Sequence, residues 1–235
     1  MSFTIGTGDR CAVVDSVTCM SNISQHCMVR LHRGTLTVSI LDHDAVFMVT
    51  HTMRVQQHPS TEDATIHLKC VDVIAGLAAT APASDVSIRI EGTKWYLPDR
   101  TWTTARQRSG GGRLLFSTRG HHVRVKTANF LLYIRQILVC ENSVRITSHG
   151  HGDLTLQASG ELISIRINDS SDIPVSTDRE EGTQGVDCSP KYIRAMLSVL
   201  SPETHMDLYI TDKKHVVIQS GRHCTIVLKD VHGSK

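Results

Sequence analysis

Most of this chain is written in period two, and four short stretches are not. "HCMVRLH" (26–32), "GTLTVSILD" (34–42), "AVFMVTHTMRVQ" (45–56) and "ATIHLK" (64–69) alternate apolar and polar residues and are rich in β-branched side chains. That pattern predicts half-buried strands, punctuated by Gly34 and by Asp42–Asp44. Before them, "SFTIG" predicts a first strand, and Asp9 caps a helix in which Val13, Val14, Val17 and Met20 recur at helical spacing. "CVDVIAGLAATAP" predicts a short second helix that Pro82 ends, and "SDVSIRIEG" and "KWYLPD" return to strand. The second half repeats the plan. Thr127 caps "ANFLLYIRQILV", with Phe130, Leu131, Ile134 and Leu138 on one face. Strands "NSVRITS", "DLTLQAS" and "ELISIRIND" follow. Ser189 and Pro190 open "KYIRAMLSVL", with Ile193, Met196, Leu197 and Leu200 inward. "MDLYITD", "HVVIQSG" and "CTIVLKD" then close the chain.

The order strand, helix, several strands, helix, several strands therefore occurs twice, without residue-level identity between the halves. The expected class is α+β: two similar domains, each with two helices on one face of antiparallel sheets. "TTARQRSGGGR" (103–113) is the clear break, basic and glycine-rich with no apolar residue larger than Ala105. The expected division is 1–102 for the first domain, 103–118 for a connector and 119–235 for the second.

Composition permits this plan and narrows the setting. Hydrophobic residues at 40% suffice for a core, and aromatics at 4% make that core aliphatic. The net charge of +2 neither demands nor excludes nucleic acid, so local placement of Lys and Arg must carry that argument. Seven scattered cysteines without a CxxC pair suggest reduced thiols in an intracellular protein. No secretory leader and no membrane-length apolar run is visible, so a soluble cytosolic or nuclear protein with no membrane partner is expected.

Little of the chain spells catalysis. "GTGDR" (6–10) lacks the lysine and spacing of a phosphate-binding loop, and there is no G-x-S-x-G. Cys19 or Cys27 beside His26 has no orienting group for a base. His149-Gly-His151-Gly-Asp153 has metal-ligand spacing, and a metal-dependent hydrolase is the contrasting reading. The same letters form a turn between alternating strands: Val144 and Ile146 precede it, Leu154 and Leu156 follow, and two glycines supply positive φ. No cofactor is expected.

Three segments resemble the DNA sliding-clamp family of the proliferating cell nuclear antigen type. "GTLTVSILDHDAVFMV" (34–49) is similar to a strand–Asp turn–strand segment of the first clamp domain. Residues 128–162, ending in "ASGEL", are similar to the opening of the second domain, and 189–230 to its closing helix and strands. The resemblance implies two-domain subunits assembled as a ring, with twelve helices around a hole that encircles duplex DNA and sheets outside. Partners would be duplex DNA, DNA polymerase or other replication and repair proteins, and further clamp subunits in a homotrimer or heterotrimer. The implied location is the nucleus, or a site of viral DNA replication.

The resemblance also implies site residues. A sliding ring touches phosphates without reading bases, so it needs cations on its helices. Arg10, Lys69, Lys126, Arg135, Lys191 and Arg194 are the candidates. The second helix, "VIAGLAAT", lacks the lysines the family carries there, and Asp15 lies on the first. Partner peptides would dock near Leu41, Ala45 and Val46, with Val227 and Lys229. Subunits would join through the edges "ELISIRIN", carrying Ile163, Ile165 and Ile167, and "RLLFSTRG", carrying Leu115. The alternatives that stay open are a subunit of a heterotrimeric DNA-damage checkpoint clamp and a divergent viral processivity factor.

Overall fold

The computed structural model describes residues 2–21, 23–42, 46–57, 64–78, 85–91, 94–96, 101–103, 118–140, 143–149, 153–158, 164–168, 183–200, 202, 205–221 and 224–229. They form two compact units. Unit 1 takes Met1–His43 and Val49–Leu114; unit 2 takes Leu115–Lys235 together with Asp44–Met48. The short loan of 44–48 is the one departure from a cut between halves.

Unit 1 contains β1 (Ser2–Ile5), α1 (Thr7–Met20), β2 (His26–His32), β3 (Thr35–Leu41), most of β4 (Phe47–Arg54), β5 (Gln56–Gln57), β6 (Ala64–Lys69), α2 (Cys70–Ala78), β7 (Val86–Glu91), β8 (Lys94–Tyr96) and β9 (Thr101–Thr103). Two antiparallel sheets result, in the orders β5-β1-β7-β8-β9 and β4-β3-β2-β6. Alternation puts Val29, Leu31, Leu36, Val38, Ile66 and Leu68 inward, all nearly fully buried. They meet Val13, Val17 and Met20 of α1 and Val73 and Leu77 of α2, which are also buried. Each such side chain contributes about 1.5–3 kcal/mol by leaving water.

Unit 2 contains β10 (Gly120–Lys126), α3 (Thr127–Ile137), β11 (Val144–Ser148), β12 (Asp153–Ala158), β13 (Ser164–Asn168), β14 (Gln184–Cys188), α4 (Pro190–Leu197), β15 (His205–Thr211), β16 (His215–Ser220) and β17 (Cys224–Lys229). Its sheets run β13-β12-β11-β14 and β10-β15-β16-β17, the latter continued by the start of β4. Lys229 N donates to Val46 O at 2.8 Å, and Phe47 stacks on Tyr192 of α4 with centroids 5.4 Å apart. These two contacts are why 44–48 belong to this unit. The apolar stripe of α3, with Phe130, Leu131, Ile134 and Ile137, is buried as its periodicity requires. Pro190 starts α4, although Ser189 makes no side-chain cap bond.

Turns follow their residues. Arg33 and Gly34 have φ of 49° and 71°, the two-residue turn that the right-handed twist of a β2–β3 hairpin favours. In the β15–β16 turn, Lys214 holds the left-handed position at φ 55°, and its N donates to Thr211 O. Gly120 sits at φ 137°, where a Cβ would overlap the carbonyl oxygen of Ile210. Gly120→Ala is therefore expected to lower unfolding free energy by at least about 2 kcal/mol. Lys214→Gly is expected to raise it by about 0.5 kcal/mol, left-handed strain outweighing glycine's entropy. Urea titration of the two variants checks both signs.

Candidate nucleic-acid interface

The helices sort the predicted cations sharply. In unit 2, Arg135, Lys191 and Arg194 are exposed on α3 and α4, while Lys126 is exposed but ends β10, where alternation with buried Val123 and Val125 turns it to the outer sheet face. Lys191 Nζ lies 5.4 Å from the centroid of Tyr192, the ring that stacks on Phe47, so the lysine stem follows a fixed aromatic surface. Arg194 and Arg135 occupy the last turns of their helices, where the macrodipole favours positive charge.

Unit 1 does not match. Arg10 is only 3% exposed, in phase with Val13, Val17 and Met20 on the buried side of α1, so it cannot meet a phosphate outside. Lys69 is exposed but ends β6, where alternation with the buried Ile66 and Leu68 turns it away from the helices. Helical phase buries Arg10, and strand phase sets the direction of Lys69. The exposed positions of α1 are Gly8, Cys11, Ala12, Asp15 and Thr18, and those of α2 are Val71, Ala75 and Ala78. Among the described residues, neither helix of unit 1 presents a cation.

The predicted partner-binding residues also separate. Leu41 is 40% exposed, one of four exposed large hydrophobics among the described residues. Val46 is half-buried, with its carbonyl engaged by Lys229 N, and Ala45 lies outside the described residues. Val227 is 2% exposed and packs with Met48, Val217 and Tyr209, so it is a core residue and not a contact surface. That row extends to His122, which stacks on Tyr209 at 4.5 Å and bonds Asp207 Oδ1 through Nε2 at 2.9 Å. Sequence reading did not find this row. The fully apolar runs 216–218 and 226–228 are its signal, since both sheet faces are covered there.

The candidate subunit edge is partly corrected. β13 is at the margin of its sheet and pairs only with β12 among the described residues. Ile167 and Ile165 oppose Leu154 and Leu156; Ile167 is buried and Ile165 half-buried, so they serve the core. The edge offers its backbone, together with exposed Ser164 and Arg166. Ile163 and Leu115 lie outside the described residues. Among the described residues, β9 is the corresponding margin of the β5-β1-β7-β8-β9 sheet.

The HxHxD run is part of the β11–β12 hairpin. His149 N donates to Asp153 O at 3.2 Å, and His149 Nε2 bonds Thr155 Oγ1 at 2.8 Å. The Asp153 carboxylate pairs with Arg166 across the sheet. Two of the three proposed ligands are thus engaged by the hairpin itself; His151 lies outside the described residues. Cys27 is buried, and its hydrogen bond to Cys70, with burial, raises its thiol far above the usual range; Cys70 is lowered in return. His26, exposed, is on the opposite face of β2.

No protein-family model matches the chain, and no curated protein matches it. Solved structures do. The DNA polymerase III subunit beta from Pseudomonas aeruginosa aligns over 100% of this chain with a TM-score of 0.73 at 12% identity. The chain spans 66% of that protein's length. PCNA from Thermococcus kodakaraensis aligns over 97% of this chain and 98% of its own, with a TM-score of 0.73 at 8% identity. The PCNA2–PCNA3 complex from Sulfolobus tokodaii aligns over the same shares, with a TM-score of 0.67 at 11% identity. The chain has the fold of the DNA polymerase sliding clamps, and its α+β architecture is theirs.

His215, opposite Lys229 on the outward side of β16, has its pKa lowered from 6.5 by burial and by Lys229 and Lys213. The unfolded chain takes up this proton near 6.5, while the folded chain resists it. Its contribution to stability is therefore complete above pH 6.5 and is lost as pH falls through the depressed folded value. His215→Asn is expected to lose less stability than wild type between pH 7.5 and 5.5, read by denaturant midpoints at each pH.

Proposed function

We propose that the chain is a scaffold and not an enzyme: a clamp subunit that encircles duplex DNA and tethers replication or repair proteins to it. The observation that carries this reading is the set of exposed cations Arg135, Lys191 and Arg194 on the helices of a sliding-clamp fold. Phosphate contact without base contact suits a protein that must move along the duplex. Neighbouring subunits would join by strand addition between β13 and β9, each at a sheet margin among the described residues. Leu41, exposed at the end of β3, is the anchor we assign to partner peptides.

A second reading has its own observation. The helices of unit 1 carry Asp15 and no exposed cation among the described residues. A ring of mixed subunits, such as a DNA-damage checkpoint clamp, would let other chains supply positive charge there. Recovery of this chain from its source cells with two different clamp-fold chains in equal amounts would establish that form.

Changing Arg135, Lys191 and Arg194 together to Gln is expected to reduce the salt slope of duplex binding, d log K/d log[salt], by about 2.7 in magnitude. Fluorescence anisotropy of a labelled 30-base-pair duplex between 50 and 200 mM KCl reads this. An unchanged slope would remove these helices from the interface.

A further inference from the structure

The β4-β3-β2-β6 sheet of unit 1 carries exposed cations on the face turned away from the helices. The outward positions of β2 are His26, Met28, Arg30 and His32; those of β6 are Thr65, His67 and Lys69. β3 adds Thr35, Thr37, Ser39 and, at its end, the exposed Leu41, and β4 adds Thr50, Thr52 and Arg54. Among the described residues no carboxylate stands at any of these positions. The described acids of this unit lie elsewhere: Asp9 and Asp15 on α1, Asp72 on α2, buried Asp42, and Asp85 and Glu91 in or beside β7. Arg54 and Lys69 are exposed and Arg30 is half-exposed.

Register shows how the cations are spread. Arg30 is level with Thr65 and Thr37, and Lys69 is level with His26. Ser39 Oγ meets Thr50 Oγ1 at 3.1 Å, which aligns β4 with β3 and puts Arg54 beyond Arg30 on the same diagonal. Strand spacing and rise give a track of about 25 Å from Lys69 through Arg30 to Arg54. Duplex DNA presents about one charge per 1.7 Å of axis, or roughly 15 along such a track. Hydroxyls flank the cations, and Arg, Lys, Ser and Thr are the side chains that hold phosphates. Among the described residues no Phe, Tyr or Trp stands on this face, so the large rings that dominate single-strand stacking sites and protein interfaces are missing there.

We propose that the open β4-β3-β2-β6 face of unit 1 binds the phosphate backbone of duplex DNA through Arg30, Arg54 and Lys69. This surface is separate from the α3 and α4 cations and does not depend on a ring. A duplex held there lies against the sheet and not against the helices.

The test changes Arg30, Arg54 and Lys69 together to Gln in the helix variant described above, so that the sheet face alone is read, and measures the labelled 30-base-pair duplex over 50 to 200 mM KCl. Relative to the helix variant, the slope is expected to fall by about 2.7 in magnitude, with at least about tenfold weaker binding at 50 mM. The helix variant itself should retain this share, so failure of either surface is seen separately. A slope equal to that of the helix variant overturns the proposal. So does equal displacement of the duplex from the helix variant by polyglutamate of matched charge, which would assign the face to acidic protein segments. A readout that needs no substitution runs in parallel: duplex should slow acetylation of Lys69 in the wild-type chain, followed by mass spectrometry. An unchanged Lys69 rate also overturns it.

Discussion

The burial of one sheet face beneath a pair of helices is the interaction on which the rest of this protein depends. In each unit, alternating strands supply an apolar inner face, and α1 with α2, or α3 with α4, supply the stripe that takes it out of water. Once the inner face is committed, the chain has three kinds of surface left: helix exteriors, outer sheet faces and sheet margins. Function must be assigned to these. A charge's usefulness is then decided by phase, because a residue one step away along a strand, or one position around a helix, changes surface.

That rule explains what the sequence revealed and what it withheld. Alternation in β2, β3 and β15 and the stripes of α3 and α4 were legible, because their periodicities have no competing reading. Arg10 was readable as well: it stands three, seven and ten residues before Val13, Val17 and Met20, on the buried stripe. Its charge suggested exposure, and helical phase decided otherwise. Lys69 shares the phase of the outward residues of β6, a signal obscured by its place next to α2. Leu41 follows Leu36, Val38 and Ile40 out of phase and so faces out. The loan of 44–48 to unit 2 was not legible, because it rests on partners nearly 150 residues or more away, Tyr192 and Lys229.

The same rule makes the two units electrostatically unlike, despite a shared plan. Unit 2 carries exposed cations on α3 and α4, while α1 and α2 of unit 1 present Asp15 and no exposed cation among the described residues. A clamp fold therefore need not present the same charge from both repeats. Identity of 8–12% to solved clamps of closely similar backbone fits that freedom. The inner face tolerates any aliphatic set of suitable volume, while the outer positions are released to function.

Margins complete the account. β13 has one partner among the described residues, and strand edges of this kind are satisfied by another chain or covered. Closed cyclic assembly is the economical solution for identical subunits. The direct measurement is the solution mass across a concentration series, by light scattering behind a sizing column. A self-closing clamp predicts a stable species of three times the 25.9 kDa subunit mass. A persistent 25.9 kDa monomer at every concentration would contradict it.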